Sequence, residues 1–127
     1  MESLKTLGLV GLGGAFGACA RYLVAIACVA LWGNTFPVGT LLVNLLGSLG
    51  LGYLMALIGQ GSLVEFPWRA AGVVGFMGAF TTFSTFSMDN VLLLESGDWS
   101  KLLGNVVLNV VGCFAAAALG YQLGQGS

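Results

Sequence analysis

Residues 75–87 read Gly-Phe-Met-Gly-Ala-Phe-Thr-Thr-Phe-Ser-Thr-Phe-Ser. This stretch combines two Gly, five hydroxyl residues and four Phe inside a long apolar segment. A helix that faces lipid has no use for hydroxyl side chains at this density, so its backbone or side chains must face something polar at membrane depth. We interpret it as a broken helix that lines an ion pathway.

The amino-acid composition is that of an integral membrane protein. Of 127 residues, 57% are hydrophobic and 7% are charged, whereas a soluble domain carries about 25% charged residues. The net charge of −1 gives no basic surface for nucleic acid. Histidine is absent and no metal-ligand pattern is present, so we do not expect an enzyme. Cys19, Cys28 and Cys113 lie in apolar segments, and we expect free, buried thiols.

Four segments are long and apolar enough to cross a bilayer, which takes about 20 residues. They cover about residues 4–32, 37–58, 68–94 and 99–123. The loops between them are too short for a soluble domain, so residues 1–127 are predicted to form one all-α, multi-pass membrane domain. Trp32, Trp68 and Trp99 lie near the predicted span ends, which agrees with the preference of indole for the interface.

The third segment is too long for one straight helix. At 1.5 Å per residue, residues 68–94 would extend about 40 Å, beyond the roughly 30 Å hydrocarbon core. A break near the middle of this span is therefore predicted, and the candidate positions are Gly72, Gly75 and Gly78, followed by Thr81 and Thr82. Backbone carbonyl groups freed by such a break can coordinate a cation.

Beyond the predicted break, Phe83, Phe86 and Asp89 share one helix face because they are three residues apart. Packing is the ordinary role of such a Phe pair. The interleaved hydroxyl residues leave little of this helix suited to lipid, which favours a pathway lining. Phe rings have an electropositive edge and hydroxyls are neutral donors, so both suit an anion that must bind weakly enough to be released.

Polar residues recur at helical spacing in the second and fourth spans. Thr40, Asn44 and Ser48 share one face of the second span. Asn44 either bonds another helix or donates to a permeating species, and we favour the second because Thr40 and Ser48 share its face. In the fourth span, Asn109 lies deep, whereas Asn105 lies near an interface, where we expect water to solvate it.

Small residues predict where helices approach closely. They recur every four residues in the fourth span, at Gly112, Ala116, Gly120 and Gly124. In the second span, Gly52 and Ala56 continue the stripe of Thr40, Asn44 and Ser48. In the first span, Gly13 and Gly17 precede Arg21 at the same spacing. Arg21 either snorkels or caps backbone carbonyls, or it attracts anions at the mouth of a polar cavity, and both interpretations stay open.

Positive charges give little bias to the membrane orientation. With four spans, Lys5 and Arg69 fall on one side and Lys101 on the other, and the side of Arg21 is ambiguous. The chain can therefore insert in both orientations. An antiparallel homodimer becomes plausible, because four short spans with so many polar residues scarcely enclose a pathway alone.

Three stretches resemble the signatures of the CrcB/Fluc family of bacterial fluoride channels. They are residues 75–87, Gly-Thr-Leu-Leu-Val-Asn-Leu-Leu-Gly at 39–47, and Gly-Gly-Ala-Phe-Gly-Ala-Cys-Ala-Arg-Tyr at 13–22. The resemblance implies a fluoride-selective channel of the bacterial inner membrane that exports cytoplasmic fluoride passively and gives fluoride resistance. It also implies a dual-topology, antiparallel homodimer with two pores and a central structural sodium ion.

The resemblance implies roles for particular residues. Asn44 would be the pore amide of the second span, and Phe83 and Phe86 the paired aromatics from opposite subunits. Backbone carbonyls of Gly78 and Thr81 would bind sodium, two from each subunit. The remaining predicted lining is Thr40, Ser84, Thr85, Ser87, Asn109 and Cys113, with Arg21 and Asp89 at the vestibule.

The chain departs from the family pattern at several positions. Ala79 replaces the second Gly of the break, and Asp89 stands where Glu is usual. In the fourth span, Asn109 stands where a tyrosine is expected, and Cys113 and Ala117 stand where hydroxyl residues are expected. Ala117 cannot form a hydrogen bond to an ion.

The alternative function is a proton-coupled small multidrug transporter, which also has four short spans in a dual-topology dimer. That chemistry needs a carboxylate deep in a span. The candidate here is Asp89, near one end of the third span. A purely structural subunit would not explain the hydroxyl-rich break.

Overall fold

The computed structural model describes residues 2–126, which form four long apolar helical segments. The first span is the helix Glu2–Trp32, the second is Val38–Gly59, the third is Glu65–Glu95 and the fourth is Trp99–Gln125. The predicted all-α fold with four helices of membrane-spanning length is confirmed. The largest difference in bounds is at the start of the third span, residue 65 against the predicted 68.

The third span consists of two helical halves separated by a break. The first half runs through Glu65–Trp68, a π-helical segment Arg69–Met77 and Gly78–Phe80, and the second half is Phe83–Glu95. Between them the backbone is extended, with φ −84° and ψ 159° at Thr81 and φ −150° and ψ 119° at Thr82. The predicted break near the middle of this span is thus confirmed at the two threonines.

The fourth span also changes its helical geometry. It runs through Trp99–Val107, a π-helical turn Leu108–Gly112 and Cys113–Gln125. At its start, Asp98 accepts a hydrogen bond from the N–H of Lys101 at 3.2 Å, which caps the helix. The preceding turn passes through Gly97, whose φ of 76° is readily available to glycine.

Glycines allow the first span to touch the third with no side chain between the two backbones. A Cβ at Gly13 would collide with the carbonyl oxygen of Ala71, and one at Gly17 with that of Phe76. From the other side, a Cβ at Gly75 would lie 2.8 Å from a carbonyl oxygen of the first span. Such contacts stabilise helix pairs in lipid through close van der Waals packing.

This packing corrects the expectation that the glycines before the threonines unwind the helix. Gly72 and Gly75 lie inside the π-helical segment, and Gly78 begins a further helical turn. At Gly75 the missing side chain admits the neighbouring backbone, so this glycine serves contact between helices. The backbone leaves helical geometry only at Thr81.

The second and fourth spans form another close pair. A Cβ at Gly52 would collide with the carbonyl oxygen of Ala117, and one at Gly120 with that of Leu49. Gly124 is buried in the same contact, where a Cβ would lie 2.7 Å from the nearest side chain of the second span. The close helix contact predicted for the small residues of the fourth span is therefore confirmed, and its partner is the second span.

All three cysteines carry free thiols, but their burial differs. Cys28 is buried, Cys113 is half-buried and Cys19 is exposed. The prediction of a buried thiol is wrong for Cys19, because Gly13 and Gly17 bring the opposite face of the first span to the third.

We expect Gly17→Ala to weaken the folded protein, because the added methyl group must push two backbones apart. The expected loss is about 1–3 kcal/mol, measured as a lower thermal unfolding midpoint of the purified protein in detergent. Gly11→Ala is a matched control in the same helix, since a Cβ there meets nothing within 4 Å. Equal unfolding midpoints for the two variants would contradict the packing described above.

Candidate ion pathway

Asn44 holds the helix break by binding both polar groups of Thr82. The N–H of Thr82 donates to Oδ1 of Asn44 at 2.8 Å, and Nδ2 of Asn44 donates to the Thr82 carbonyl oxygen at 3.2 Å. In an unbroken helix, that N–H would donate to the carbonyl oxygen of Gly78. The side-chain amide thus replaces a helical hydrogen bond, and the Gly78 carbonyl loses its helical donor.

The remaining N–H of Asn44 also has a protein partner. Nδ2 donates to Oδ1 of Asn109 at 2.9 Å, which joins the second span to the fourth. Of the two interpretations of Asn44, bonding to other helices is therefore what the structure contains. Donation to a permeating ion stays a prediction. It requires Asn44 to give up one of its hydrogen bonds to the ion, and the longer bond, 3.2 Å to the Thr82 carbonyl oxygen, is the one expected to break.

Thr82 starts the second half of the third span. Its Oγ1 accepts a hydrogen bond from the N–H of Thr85 at 3.1 Å and so caps the new helix. The same hydroxyl donates to Oγ1 of Thr85 at 3.1 Å and lies 3.3 Å from Oγ of Ser84. Sequence reasoning placed Thr82 in the break but missed this role, although threonine is one of the residues favoured at a helix N-cap.

An open cavity of about 400 Å³ lies at the break. It brings together six of the predicted site residues: Asn44, Gly78, Thr81, Phe83, Asn109 and Cys113. All of its lining side chains are neutral. A cavity with amide and hydroxyl groups but no charge can interact with a small ion without holding it tightly.

The two phenylalanines of the predicted pathway contact each other within one chain. Their ring centroids are 5.4 Å apart and the rings are tilted by 53°. Phe86 is buried with 6% exposure, whereas Phe83 is 77% exposed and lines the cavity. The face shared by the two rings is confirmed, and Phe83 is the one whose edge is available to an ion.

The predicted vestibule residues lie on either side of Thr40. Arg21, Thr40 and Thr85 line a small cavity of about 50 Å³, and Asp89 and Thr40 line a cavity of about 450 Å³ that opens beside the first loop. Nε of Arg21 donates to the carbonyl oxygen of Ala79 at 2.9 Å. The capping of a backbone carbonyl is thus observed for Arg21, and the attraction of anions stays a prediction.

Two predicted lining hydroxyls lie apart from the cavity at the break. Neither Ser84 nor Ser87 is among the residues that line it. Ser87 donates from Oγ to the carbonyl oxygen of Phe83 at 3.0 Å, which is the preceding turn of its own helix. Ser84 is exposed on the surface of the single chain.

A chain of asparagine amides leads away from the cavity. Nδ2 of Asn109 donates to both the carbonyl oxygen and Oδ1 of Asn105, each at 2.9 Å. Nδ2 of Asn105 donates to Oδ1 of Asn90 at 2.8 Å. The prediction that water solvates Asn105 is wrong: its exposure is 0%, because the second half of the third span covers it through Asn90. Sequence reasoning did not identify Asn90.

The sequence matches the family model described as CrcB-like protein, Camphor Resistance (CrcB), over residues 8–121. The chain belongs to the CrcB family. Curated relatives named fluoride-specific ion channel FluC occur in Photobacterium profundum, with 51% identity, and in Vibrio campbellii, with 53%, each over 97% of both chains. A Vibrio cholerae relative of the same name is 50% identical over 94% of this chain and 95% of its own.

These matches confirm the family resemblance, and they extend through every part of this CrcB chain that builds the cavity. Residues 8–121 include Gly13 and Gly17 of the first span, Asn44 of the second, the break of the third and Cys113 of the fourth. The relatives give no support to the multidrug-transporter alternative. Together with the four apolar helices, they indicate a multi-pass membrane protein.

Proposed function

We propose that this CrcB chain forms a fluoride-selective channel of the bacterial inner membrane. Cytoplasmic fluoride leaves through it passively, down its electrochemical gradient, and the cell gains fluoride resistance. The observation that carries the proposal is the neutral polar cavity at the helix break, where Asn44, Phe83 and Asn109 meet. The names of the relatives supply the ion. Passage down a gradient needs no catalytic group, so the protein is not an enzyme.

The groups around the break suit a small, strongly hydrated anion. Such an ion must exchange its water for hydrogen-bond donors, and Asn44 offers an N–H once the 3.2 Å bond to the Thr82 carbonyl yields. The exposed Phe83 ring presents an electropositive edge without a formal charge. Neutral partners of this kind bind an anion weakly enough to release it, which conduction requires.

The charged and hydroxyl residues next to the cavity extend the proposed route. Arg21 uses Nε to hold Ala79, and its terminal nitrogens are available to attract an anion into the vestibule beside Thr40 and Asp89. The hydroxyls of the second half of the third span continue the lining, together with Cys113 of the fourth span. The proposed pore residues are Asn44, Phe83, Phe86, Thr40, Ser84, Thr85, Ser87, Asn109 and Cys113.

The functional unit is proposed to be an antiparallel, dual-topology homodimer. Ser84 and Thr85 are exposed on the single chain beside Phe83, and the cavity at the break is open. Lipid tails offer no further hydrogen-bond partners to such groups, which supports a protein surface as the cover of this face. A second, inverted copy would do so, and Phe83 and Phe86 of opposite subunits would then flank each of two pores.

A sodium ion is proposed to hold the two copies together. Backbone carbonyls at a helix break are suitable ligands for an alkali cation, and here the Gly78 carbonyl has lost its helical donor to Asn44. Gly78 and Thr81 both line the open cavity. One chain offers these two carbonyls, and the inverted copy would supply two more. Within residues 2–126 no cluster of acidic, His or Cys side chains offers another metal site.

Fluoride efflux from liposomes that contain the purified protein tests the proposed function. We expect fast fluoride efflux and little chloride efflux from the parent chain. Phe83→Ile removes the ring edge and Asn44→Asp replaces a donor by an anion, so each should slow fluoride efflux by about tenfold or more. Leu103→Ala, on an exposed face of the fourth span, is the control and should behave like the parent.

The liposome results separate two failures. Absence of fluoride efflux from folded, reconstituted parent protein would overturn the channel. Parent-like efflux from both pathway variants would keep a channel but would remove Asn44 and Phe83 from the route.

The mass of the purified complex in sodium chloride and in N-methylglucamine chloride tests the dimer and its ion together. We expect a dimer in sodium that dissociates or unfolds more readily without it, because four carbonyl oxygens would then face one another without a cation. Light scattering after size-exclusion chromatography gives the mass, and thermal unfolding gives the stability. A monomer in both solutions would overturn the dimer, and a dimer of equal stability in both would overturn the sodium ion.

A further inference from the structure

We propose that Asn90 and Asn105 are positioning residues, which restrain the Asn44 amide at the helix break and thereby set the rate of ion passage. The inference rests on the proposed channel function and adds residues that do not contact the ion. Neither residue lines the 400 Å³ cavity. Both act through Asn109, the intermediate member of the chain of amides.

Burial makes this chain of amides costly to leave incomplete. Asn105 has 0% exposure and Asn109 has 6%, while Asn44 and Asn90 at the two ends are half-buried. A buried amide without partners is strongly unfavourable, and more so where lipid replaces water. The three spans that supply these residues are thus held in one arrangement by hydrogen bonds of 2.8 to 2.9 Å.

The direction of donation is set at the break and passes along the chain. The peptide N–H of Thr82 can only donate, so Asn44 must present its oxygen there. The nitrogen of Asn44 then faces Asn109, which must present its own oxygen. The nitrogen of Asn109 in turn faces the carbonyl and side-chain oxygens of Asn105, and the nitrogen of Asn105 faces the oxygen of Asn90.

The same logic holds in reverse, from Asn90 back to the break. The acceptor oxygen of Asn90 keeps the side-chain nitrogen of Asn105 turned toward Asn90 and the side-chain oxygen of Asn105 turned toward Asn109. Asn109 is then held with its oxygen toward Asn44, so Asn44 keeps one N–H on Asn109 and the other on the Thr82 carbonyl. Removing the acceptor at Asn90 frees the Asn105 side chain to rotate. Asn109 then keeps the backbone carbonyl of Asn105 but loses the second of its two acceptors, so it holds the Asn44 amide less firmly.

Single-channel liposomes separate this role from simple stabilisation. At a protein density low enough that a vesicle holds at most one channel, the fraction of vesicles that release fluoride counts folded channels. The rate of release within those vesicles reports on the pathway itself. A residue that only stabilises the fold changes the fraction, whereas a positioning residue changes the rate.

Asn90→Leu and Asn90→Gln are the informative pair. Leucine has nearly the shape of asparagine but offers no acceptor, and we expect the release rate to fall by about tenfold, roughly the effect of one lost buried hydrogen bond. Glutamine restores an amide oxygen at a half-buried site, and it should recover most of the rate. Asn105→Leu should lower the rate at least as much as Asn90→Leu, and Leu103→Ala is the neutral control.

The outcomes are distinct. A lower rate in Asn90→Leu with recovery in Asn90→Gln supports the positioning role, even if Asn105→Leu fails to fold. A parent-like rate in Asn90→Leu, with or without a smaller active fraction, overturns it while leaving the proposed channel intact. Failure of the parent itself to release fluoride refutes the channel function instead.

Discussion

The hydrogen bonds between Asn44 and Thr82 are the interaction on which the rest of the structure depends. A break at membrane depth frees backbone N–H and carbonyl groups where lipid offers them no partners. Asn44 solves this at a single residue, because one amide both accepts from the N–H and donates to the carbonyl of Thr82. The helix can then stop at Phe80 and start again at Phe83 without an unpaired Thr82 N–H.

Two glycine-packed helix pairs hold this break in place. The first span lies directly on the first half of the third, which brings Arg21 to the carbonyl of Ala79. The second span lies directly on the fourth, which brings Asn44 to Asn109. The break therefore receives polar partners from both pairs. Close backbone contact makes these positions precise, since small displacements would force backbone atoms into collision.

The sequence allowed the four spans and the position of the break to be predicted, because both follow from hydropathy, length and local residue type. The burial of Asn105 could not be predicted in the same way. Its own helix placed it near an interface, and only the second half of the third span, packed across it through Asn90, removes it from water. Gly75 was misjudged for a similar reason: glycine serves both a break and a close contact, and its neighbour in space decides which.

A structure of the protein in a lipid bilayer, determined with sodium and fluoride present, would test the central claim most directly. The account predicts a second, inverted copy against the face that carries Phe83, Ser84 and Thr85, with the Asn44 amide still bonded to the backbone N–H and carbonyl of Thr82. Lipid chains in direct contact with that face, or an Asn44 side chain turned away from Thr82, would contradict it.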